Sequence, residues 1–167
     1  MSLHSILKAK VGDPILLQLK QGLSPEKIAL TVAFGFCIAV FPVVGATTIL
    51  CFIAAWAFGL NMPIIQAINW SSYALQLLMI FPFIRLGERI FRAPRLSLSL
   101  DQLVAMARAD PFGSLASLWT TIWHAVVAWA LVAPLLIAAI YFATRPAFQA
   151  LARRVAAGRQ GSVNDVA

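Results

Sequence analysis

The feature that most constrains this chain is a run of 57 residues, from 28 to 84, that contains no Asp, Glu, Lys or Arg. A second run of 34 residues, from 111 to 144, is also free of these charged residues. A membrane-crossing helix needs about 20 apolar residues, because it rises about 1.5 Å per residue across a hydrocarbon core about 30 Å thick. The first run therefore has room for two or three such helices, and the second has room for one.

The composition also indicates a lipid environment. Hydrophobic residues make up 61% of the 167-residue chain and charged residues only 11%, against about 45–50% and about 25% in soluble domains. Disorder is excluded, because disordered chains combine low hydrophobicity with high charge. The sequence therefore predicts an all-α integral membrane protein.

The net charge of +7 raises the question of a nucleic-acid partner. The 13 basic residues, however, flank the apolar runs and do not form one dense patch. Flanking Lys and Arg residues are typical of contacts with anionic lipid headgroups and of topology signals. We therefore expect the partner to be the lipid bilayer and not nucleic acid.

Helix starts are marked by capping residues that stand just before a proline, as at Ser24-Pro25 and Asp110-Pro111. The capping side chain accepts a first-turn N–H, and a proline in the first turn loses no helical hydrogen bond. These signals and the apolar pattern predict membrane helices at about 25–41, 46–59, 63–90 and 112–144. Short amphipathic helices at the membrane interface are expected at 14–21 and 100–109, and a basic tail helix at about 146–157.

The first two membrane helices are separated by Pro42 and Gly45, which interrupt the apolar run near its middle. Proline disfavours helix in the residue before it, and glycine adopts the positive φ that a turn requires. Each half is then about 21–26 Å long, which is short for a crossing. We therefore expect a broken helical hairpin at about 25–59, which either re-enters the membrane or spans it twice. The alternative is one kinked helix.

The distribution of basic residues predicts the topology. Four lie before residue 28, five between 85 and 110, and four after 144. Because a hairpin contributes an even number of passes, both termini are expected on the side with more basic residues, the cytoplasm. This gives an interfacial segment at 1–22, a membrane domain at 23–145 and a basic tail at 146–167, in a multi-pass inner-membrane protein. A single kinked helix would instead place the C-terminus outside.

Four long polar side chains lie within the predicted helix 63–90, at i, i+3, i+7 and i+10: Gln66, Asn69, Tyr73 and Gln76. This spacing aligns them on one helix face. Amides are costly in hydrocarbon, so the stripe is expected to face protein or a water-filled crevice. It either joins helices through hydrogen bonds or lines a substrate site, for which Asn69 is the best candidate.

Three further polar residues have both a local and a functional interpretation. Thr47 and Thr48 follow the Pro-Gly break, and they either cap the second half-helix or help its N–H groups bind an anionic headgroup. His124 in the last membrane helix either bonds a neighbouring carbonyl or amide, or shuttles protons. The local interpretation is favoured for each of them.

Arg85, Glu88, Arg89 and Arg92 end the helix 63–90, where Glu88 is spaced to pair with Arg85 and Arg92. This is a solvated helix end whose arginines also suit a lipid phosphate. Two histidines and two cysteines form no metal-binding spacing, and no carboxylate lies within the apolar runs. We therefore expect no catalytic residue, no metal ion and no cofactor.

Several short motifs together resemble a bacterial membrane family, domain of unknown function 2062 (DUF2062). They are Ser24–Ala29, Phe41-Pro42, Gly45–Thr48, Asn61–Pro63 and Arg85–Glu88, and the resemblance covers residues 20–145. It implies a multi-helix inner-membrane protein with no assigned catalytic residue. Some relatives resembling this chain are joined to glycosyltransferase domains, which implies envelope or lipid-linked sugar work.

This chain departs from the family pattern in the middle of its third helix. Many members carry Asn-Pro there, whereas this chain has Asn69 followed by Trp70, Ser71 and Ser72. The resemblance therefore implies a divergent branch.

We expect a non-enzymatic membrane protein that handles or guides a lipid-linked or small polar substrate in the envelope. A chain of this size encloses little volume, so a homo-oligomer or a membrane protein partner is expected. The alternative is an accessory subunit that docks a membrane-associated transferase through segment 100–109 and Arg153, Arg154 and Arg159.

Overall fold

The computed structural model describes residues 24–93 and 111–164, together with 105, 108 and 109. These residues form helices and turns without strands, as the sequence predicts. The five helices are α1 (Pro25–Ala39), α2 (Thr47–Phe58), α3 (Met62–Ser71), α4 (Tyr73–Ile90) and α5 (Pro111–Asn164). The predicted helix 14–21 and most of the predicted helix 100–109 lie outside the described residues.

The predicted helix starts of α1 and α3 are confirmed by their caps. The Ser24 Oγ accepts a hydrogen bond of 3.3 Å from the Lys27 N–H. The Asn61 Oδ1 accepts one of 3.1 Å from the Ile64 N–H. Each helix also has a proline in its first turn, where the missing N–H costs no hydrogen bond.

Helices α1 and α2 form a hairpin, so the alternative of one kinked helix is wrong. The Lys27 Nζ donates a 2.7 Å hydrogen bond to the Phe58 carbonyl, joining the start of α1 to the end of α2. A cation is favourable there, because the last carbonyls of a helix carry partial negative charge. At the opposite end, Gly45 turns the chain with a φ of 90°. We call residues 40–46 the hairpin tip.

The prediction of one helix over 63–90 is wrong, because the chain bends by 70° between α3 and α4. The bend is at Ser72, where the N–H turns back to the Ile68 carbonyl at 3.0 Å. No proline lies at this point, but Asn69, Ser71 and Ser72 are weak helix formers whose side chains compete for backbone hydrogen bonds. Sharp helix bends are typical of such serine pairs.

The predicted separation of a membrane helix ending at 144 from a tail helix beginning at 146 is also wrong. Helix α5 continues through Pro146. Phe148 and Leu151 pack beyond the proline against a cluster that includes Ile28 and Ile64. This packing offsets the cost of a proline inside a helix, about 3 kcal/mol.

The two ends of the molecule are held by polar contacts. At the end that we call basal, the Glu26 carboxylate accepts a 2.8 Å hydrogen bond from the Gln149 amide, and the Arg145 Nε lies 4.0 Å away. The hydrogen bond from Gln149 and, to a smaller extent, the charge of Arg145 lower the pKa of the Glu26 carboxyl below its ordinary value. Residues 24–27 of α1 and 145–149 of α5 therefore lie together.

At the opposite end, which we call distal, α4 packs tightly on α5. The Phe91 ring stacks on the His124 ring with centroids 4.2 Å apart. A Cβ atom on Gly87 would lie 2.6 Å from the His124 main-chain carbon and oxygen. His124 is 21 residues before Arg145 on α5, so the two ends are about 31 Å apart along the helix.

The hairpin tip lies beside α5 close to the distal end. Before the tip, the Trp129 Nε1 donates a 3.0 Å hydrogen bond to the Cys37 carbonyl, and the Cys37 Sγ lies 3.7 Å from the Ala133 carbonyl oxygen. The Phe41 ring meets the Trp129 ring edge-on at 4.9 Å, and Val40 packs in one cluster with Ala125. Trp129 lies about 24 Å along α5 from Arg145, so the tip is nearer to the distal end than to the basal end.

One described helical segment, Leu118–Arg154, is long and apolar enough to cross a membrane. The bent pair α3–α4 adds a second candidate if both helices form one span. Helix α2 is apolar but has only 12 residues. By length and composition, the described residues therefore contain one candidate span, or two.

We predict that Gly87→Ala destabilises the fold. Alanine inside a helix ordinarily stabilises it by about 0.5–1 kcal/mol, but here the added methyl group meets backbone atoms of α5. The expected net loss is about 1–3 kcal/mol, as for other overpacked sites. Thermal unfolding in detergent measures it.

Gly35→Ala is the matched control, since the three atoms nearest to its Cβ would all belong to the Ile68 side chain, the closest at 3.1 Å. A side chain gives way more easily than backbone, so the loss of stability is expected to be smaller. Equal melting temperatures for Gly87→Ala and the wild type would contradict the close approach of α4 to α5.

Candidate functional site

A polar cavity of about 200 Å³ joins the hairpin tip to the break between α3 and α4. We call it the tip cavity. It brings together six of the residues singled out in the sequence, from three helices and the turn. Its described lining residues are Val44, Gly45, Thr47, Thr48, Asn69, Trp70, Tyr73 and Gln76.

Gln76 is the most buried of the stripe residues, with 3% of its surface exposed. Its Nε2 donates hydrogen bonds to the Phe41 carbonyl at 3.0 Å and to the Val43 carbonyl at 3.4 Å. These carbonyls lie beside Pro42, where the chain has left α1 and main-chain partners are missing. Gln76 therefore joins α4 to the hairpin tip while it lines the cavity.

Asn69 is buried where α3 approaches its end. Its Nδ2 lies 3.5 Å from the Gln66 Oε1, at the limit of a hydrogen bond. The Asn69 Oδ1 has no hydrogen-bond partner in the described part of the chain. This atom keeps some accessible surface, and it belongs to a residue that lines the cavity.

The N-terminus of α2 forms the opposite wall of the cavity. The prediction that Thr47 and Thr48 cap this helix is wrong, because Ala46 occupies the N-cap position and gives no side-chain hydrogen bond. Thr47 is buried and Thr48 half-buried, and both line the cavity. The first-turn N–H groups of a helix carry partial positive charge, so this wall is electropositive.

A second cavity, of about 400 Å³, runs along the outer surface of α3. It is lined by Pro63, Gln66, Ala67, Trp70 and Ser71, and we call it the α3 groove. It begins near the basal end, where α3 starts, and shares Trp70 with the tip cavity. Gln66 therefore lies in the groove, while the other three stripe residues line the tip cavity.

The remaining predicted site residues lie at the distal end. His124 stacks on Phe91, away from the polar stripe. The predicted pair of Arg85 with Glu88 is confirmed, with a nitrogen–oxygen distance of 2.8 Å. These two residues line a cleft of about 380 Å³ together with Arg89 and Ala93. Arg92 follows in the turn after α4, with a φ of 50°.

Two features of the site were not predicted from the sequence. The first is the pairing of Gln76 with main-chain carbonyls more than 30 residues away. No local pattern encodes such a contact. The second is Trp70, whose side chain is 72% exposed between the two cavities. Its position inside a run of polar residues was a signal that sequence reasoning did not use.

Comparison with known proteins gives a family and no function. The family described as "Uncharacterized protein conserved in bacteria (DUF2062)" matches residues 9–156, which is most of the chain. No curated protein matches the chain. No solved structure matches it either.

We predict that Gln76→Leu lowers the stability of the fold by about 1–3 kcal/mol. The substitution keeps the volume but leaves the Phe41 and Val43 carbonyls without their donor, and an unpaired buried acceptor costs this much. Thermal unfolding of the purified protein measures the loss.

Gln66→Leu is the matched control, because Gln66 is only half-buried and bonds a single amide at 3.5 Å. Its expected cost is about 0.6 kcal/mol or less. Equal costs for the two variants would contradict the role of Gln76 in holding the hairpin tip.

Proposed function

The chain belongs to the DUF2062 family of bacterial proteins, whose description assigns no function. We therefore propose its function from the geometry of the tip cavity. It is a multi-pass inner-membrane protein that handles or guides a lipid-linked or small polar substrate at the tip cavity. The observation that carries the proposal is a cavity lined by polar side chains, where the hairpin tip meets a helix break between the two charged ends.

The spacing of the charged ends supports a membrane location. The basal contacts of Arg145 and the distal contacts of His124 lie about 31 Å apart along α5, close to the thickness of a hydrocarbon core. Large apolar side chains are exposed between them, including Trp56 on α2 and Leu135 on α5, which are 88% and 72% exposed. Exposed apolar surface on this scale is favourable in lipid.

In this arrangement α5 and the bent pair α3–α4 each cross the membrane once. The hairpin α1–α2 enters from the basal side and returns to it, because Lys27 near the start of α1 bonds the Phe58 carbonyl at the end of α2. Irregular backbone at this depth requires protein partners for its polar groups, and Gln76 supplies them. Transporters build substrate sites from such discontinuous helices.

The α3 groove gives a substrate a path to the tip cavity. It starts at Pro63 near the basal end and reaches Trp70, which borders both cavities. Gln66 and Asn69 follow one another along this path, and their amides are in contact. A polar group that moves from the basal side toward the tip cavity therefore passes first the amide of Gln66 and then the amide of Asn69.

The arginines at the two ends are the proposed contacts with anionic headgroups. Arg85, Arg89 and Arg92 lie at the distal end, and Arg153 and Arg154 are exposed at the basal end. Both termini are then cytoplasmic. Since the tip cavity is open on the side of Trp70 and Tyr73, which are 72% and 52% exposed, a second copy or a membrane protein partner completes the enclosure.

We predict opposite labelling of the two ends in intact cells. In a chain with Cys37 and Cys51 replaced by alanine, Ala93→Cys reacts with an impermeant thiol reagent and Ala156→Cys does not. The reason is that Ala93 follows α4 at the distal end, whereas Ala156 lies on α5 beyond the basal contacts of Arg145. Labelling of both positions, or of neither, in intact cells that label a periplasmic control protein would contradict the proposed topology.

We also predict that the tip cavity is wet. In the same background, Thr48→Cys reacts with a small soluble thiol reagent at least about tenfold faster than Phe52→Cys, because the reactive thiolate forms only in contact with water. Phe52 is the matched control, since it lies one turn along α2 on the outer apolar face and is 57% exposed. Equal rates would contradict a polar path to the cavity.

A second candidate function follows from the end of α5. The helix extends to Asn164. Leu151 and Ala152 pack against the cluster of α1 and α3, and Arg153 and Arg154, which follow them, are exposed. Such a basic helix suits an accessory subunit that docks a membrane-associated transferase. Removal of residues 153–167 discriminates, because loss of a partner with an unchanged reaction of Thr48→Cys favours docking over substrate handling.

A further inference from the structure

We propose that the tip cavity binds a phosphodiester group, with its single negative charge, at the N-terminus of α2. The inference rests on the proposed function and names the chemistry of its substrate. It starts from the 12-residue helix α2, whose N-cap Ala46 offers no side-chain acceptor to the first turn. In contrast, α1 and α3 are capped by Ser24 and Asn61.

A second observation comes from side chains that are buried in the cavity wall without partners. Thr47 is 6% exposed, and its hydroxyl has no hydrogen-bond partner among the residues described. Asn69, from a different helix, is also 6% exposed, and its Oδ1 is unpaired in the same part of the chain. Both residues line the tip cavity. Neither atom is sealed off from accessible space, so both remain available to a ligand in the cavity.

The hydrogen-bond donors and acceptors in the cavity walls determine which chemical groups such a ligand carries. The Thr47 and Thr48 hydroxyls and the first-turn N–H groups of α2 donate to an anion. The Asn69 Oδ1 accepts a hydrogen bond from a neighbouring hydroxyl of the same ligand. Phosphate with an adjacent alcohol, as in a glycerol or sugar phosphodiester, satisfies both walls of the cavity.

The charge of the wall limits the ligand to one negative charge. The described residues that line the cavity include no Lys or Arg. A helix N-terminus is equivalent to about half a positive charge, which suits a monoanion. The second charge of a phosphomonoester would meet no opposite charge among these residues. The cavity therefore favours a phosphodiester over a phosphomonoester.

The phosphodiester belongs either to a lipid headgroup or to a small soluble molecule, and two arms distinguish these sources. In the soluble arm, the protein in a phosphate-free maltoside detergent is titrated with glycerophosphoglycerol and with glycerol 3-phosphate, while tryptophan fluorescence reports on Trp70 in the cavity wall. In the lipid arm, native mass spectrometry counts phosphatidylglycerol and phosphatidic acid retained by the detergent-purified protein. Trp70→Phe shows which fluorescence change arises at the cavity.

We expect the diester of one arm to bind at least about tenfold more tightly than the matching monoester. Thr47→Val, which removes only the hydroxyl, weakens that binding by about tenfold, the usual effect of losing a hydrogen bond to a charged group. Thr47→Ser restores it. Thr144→Val is the control, since the Thr144 hydroxyl bonds the Ile140 carbonyl of its own helix at 2.8 Å.

Preference for the monoester, no binding in either arm, or unchanged binding by a folded Thr47→Val variant would overturn the proposal. The preference of the wild type needs no variant, so the test stands even if Thr47→Val does not fold. A reactive Thr48→Cys together with no diester binding rejects only the ligand class. An unreactive Thr48→Cys rejects the proposed function as well.

Discussion

The pairing of main-chain polar groups at helix ends is the constraint on which this structure depends. An apolar chain of short, broken helices exposes many end carbonyls and N–H groups, and each is costly if it is left unpaired away from water. Gln76 pairs the carbonyls of Phe41 and Val43 at the hairpin tip. Lys27 pairs the last carbonyl of α2. Without these side chains, unpaired main-chain carbonyls would destabilise the hairpin.

The same constraint explains which parts of the fold the sequence predicts. The starts of α1 and α3 are predictable because a cap and a proline act within one turn, as at Ser24 and Asn61. The turn at Gly45 is predictable for the same reason, since a positive φ is a local requirement. The hairpin itself follows from the short halves on each side of this turn.

The two errors in the helix pattern have different causes. At Ser72 the apolar pattern continues into α4, but Asn69, Ser71 and Ser72 are weak helix formers, and the helix breaks there. At Pro146 the chain stays helical although a proline predicts a boundary, because Phe148 packs against α1 and α3. Packing overrides the local preference at Pro146, and a single sequence does not show which distant residues will pack together.

The candidate site was predictable because most residues that share one helix face in the sequence pattern stay together on both sides of the bend. Asn69, Tyr73 and Gln76 were placed together as one stripe on a straight helix, and the bend at Ser72 keeps them around one cavity. Gln66, three residues earlier, is turned toward the α3 groove instead. The bend therefore divides the stripe between the α3 groove and the tip cavity. It also sets the Asn69 amide across the cavity from the N-terminus of α2. One wall of the cavity therefore offers a hydrogen-bond acceptor, and the other offers N–H donors with partial positive charge.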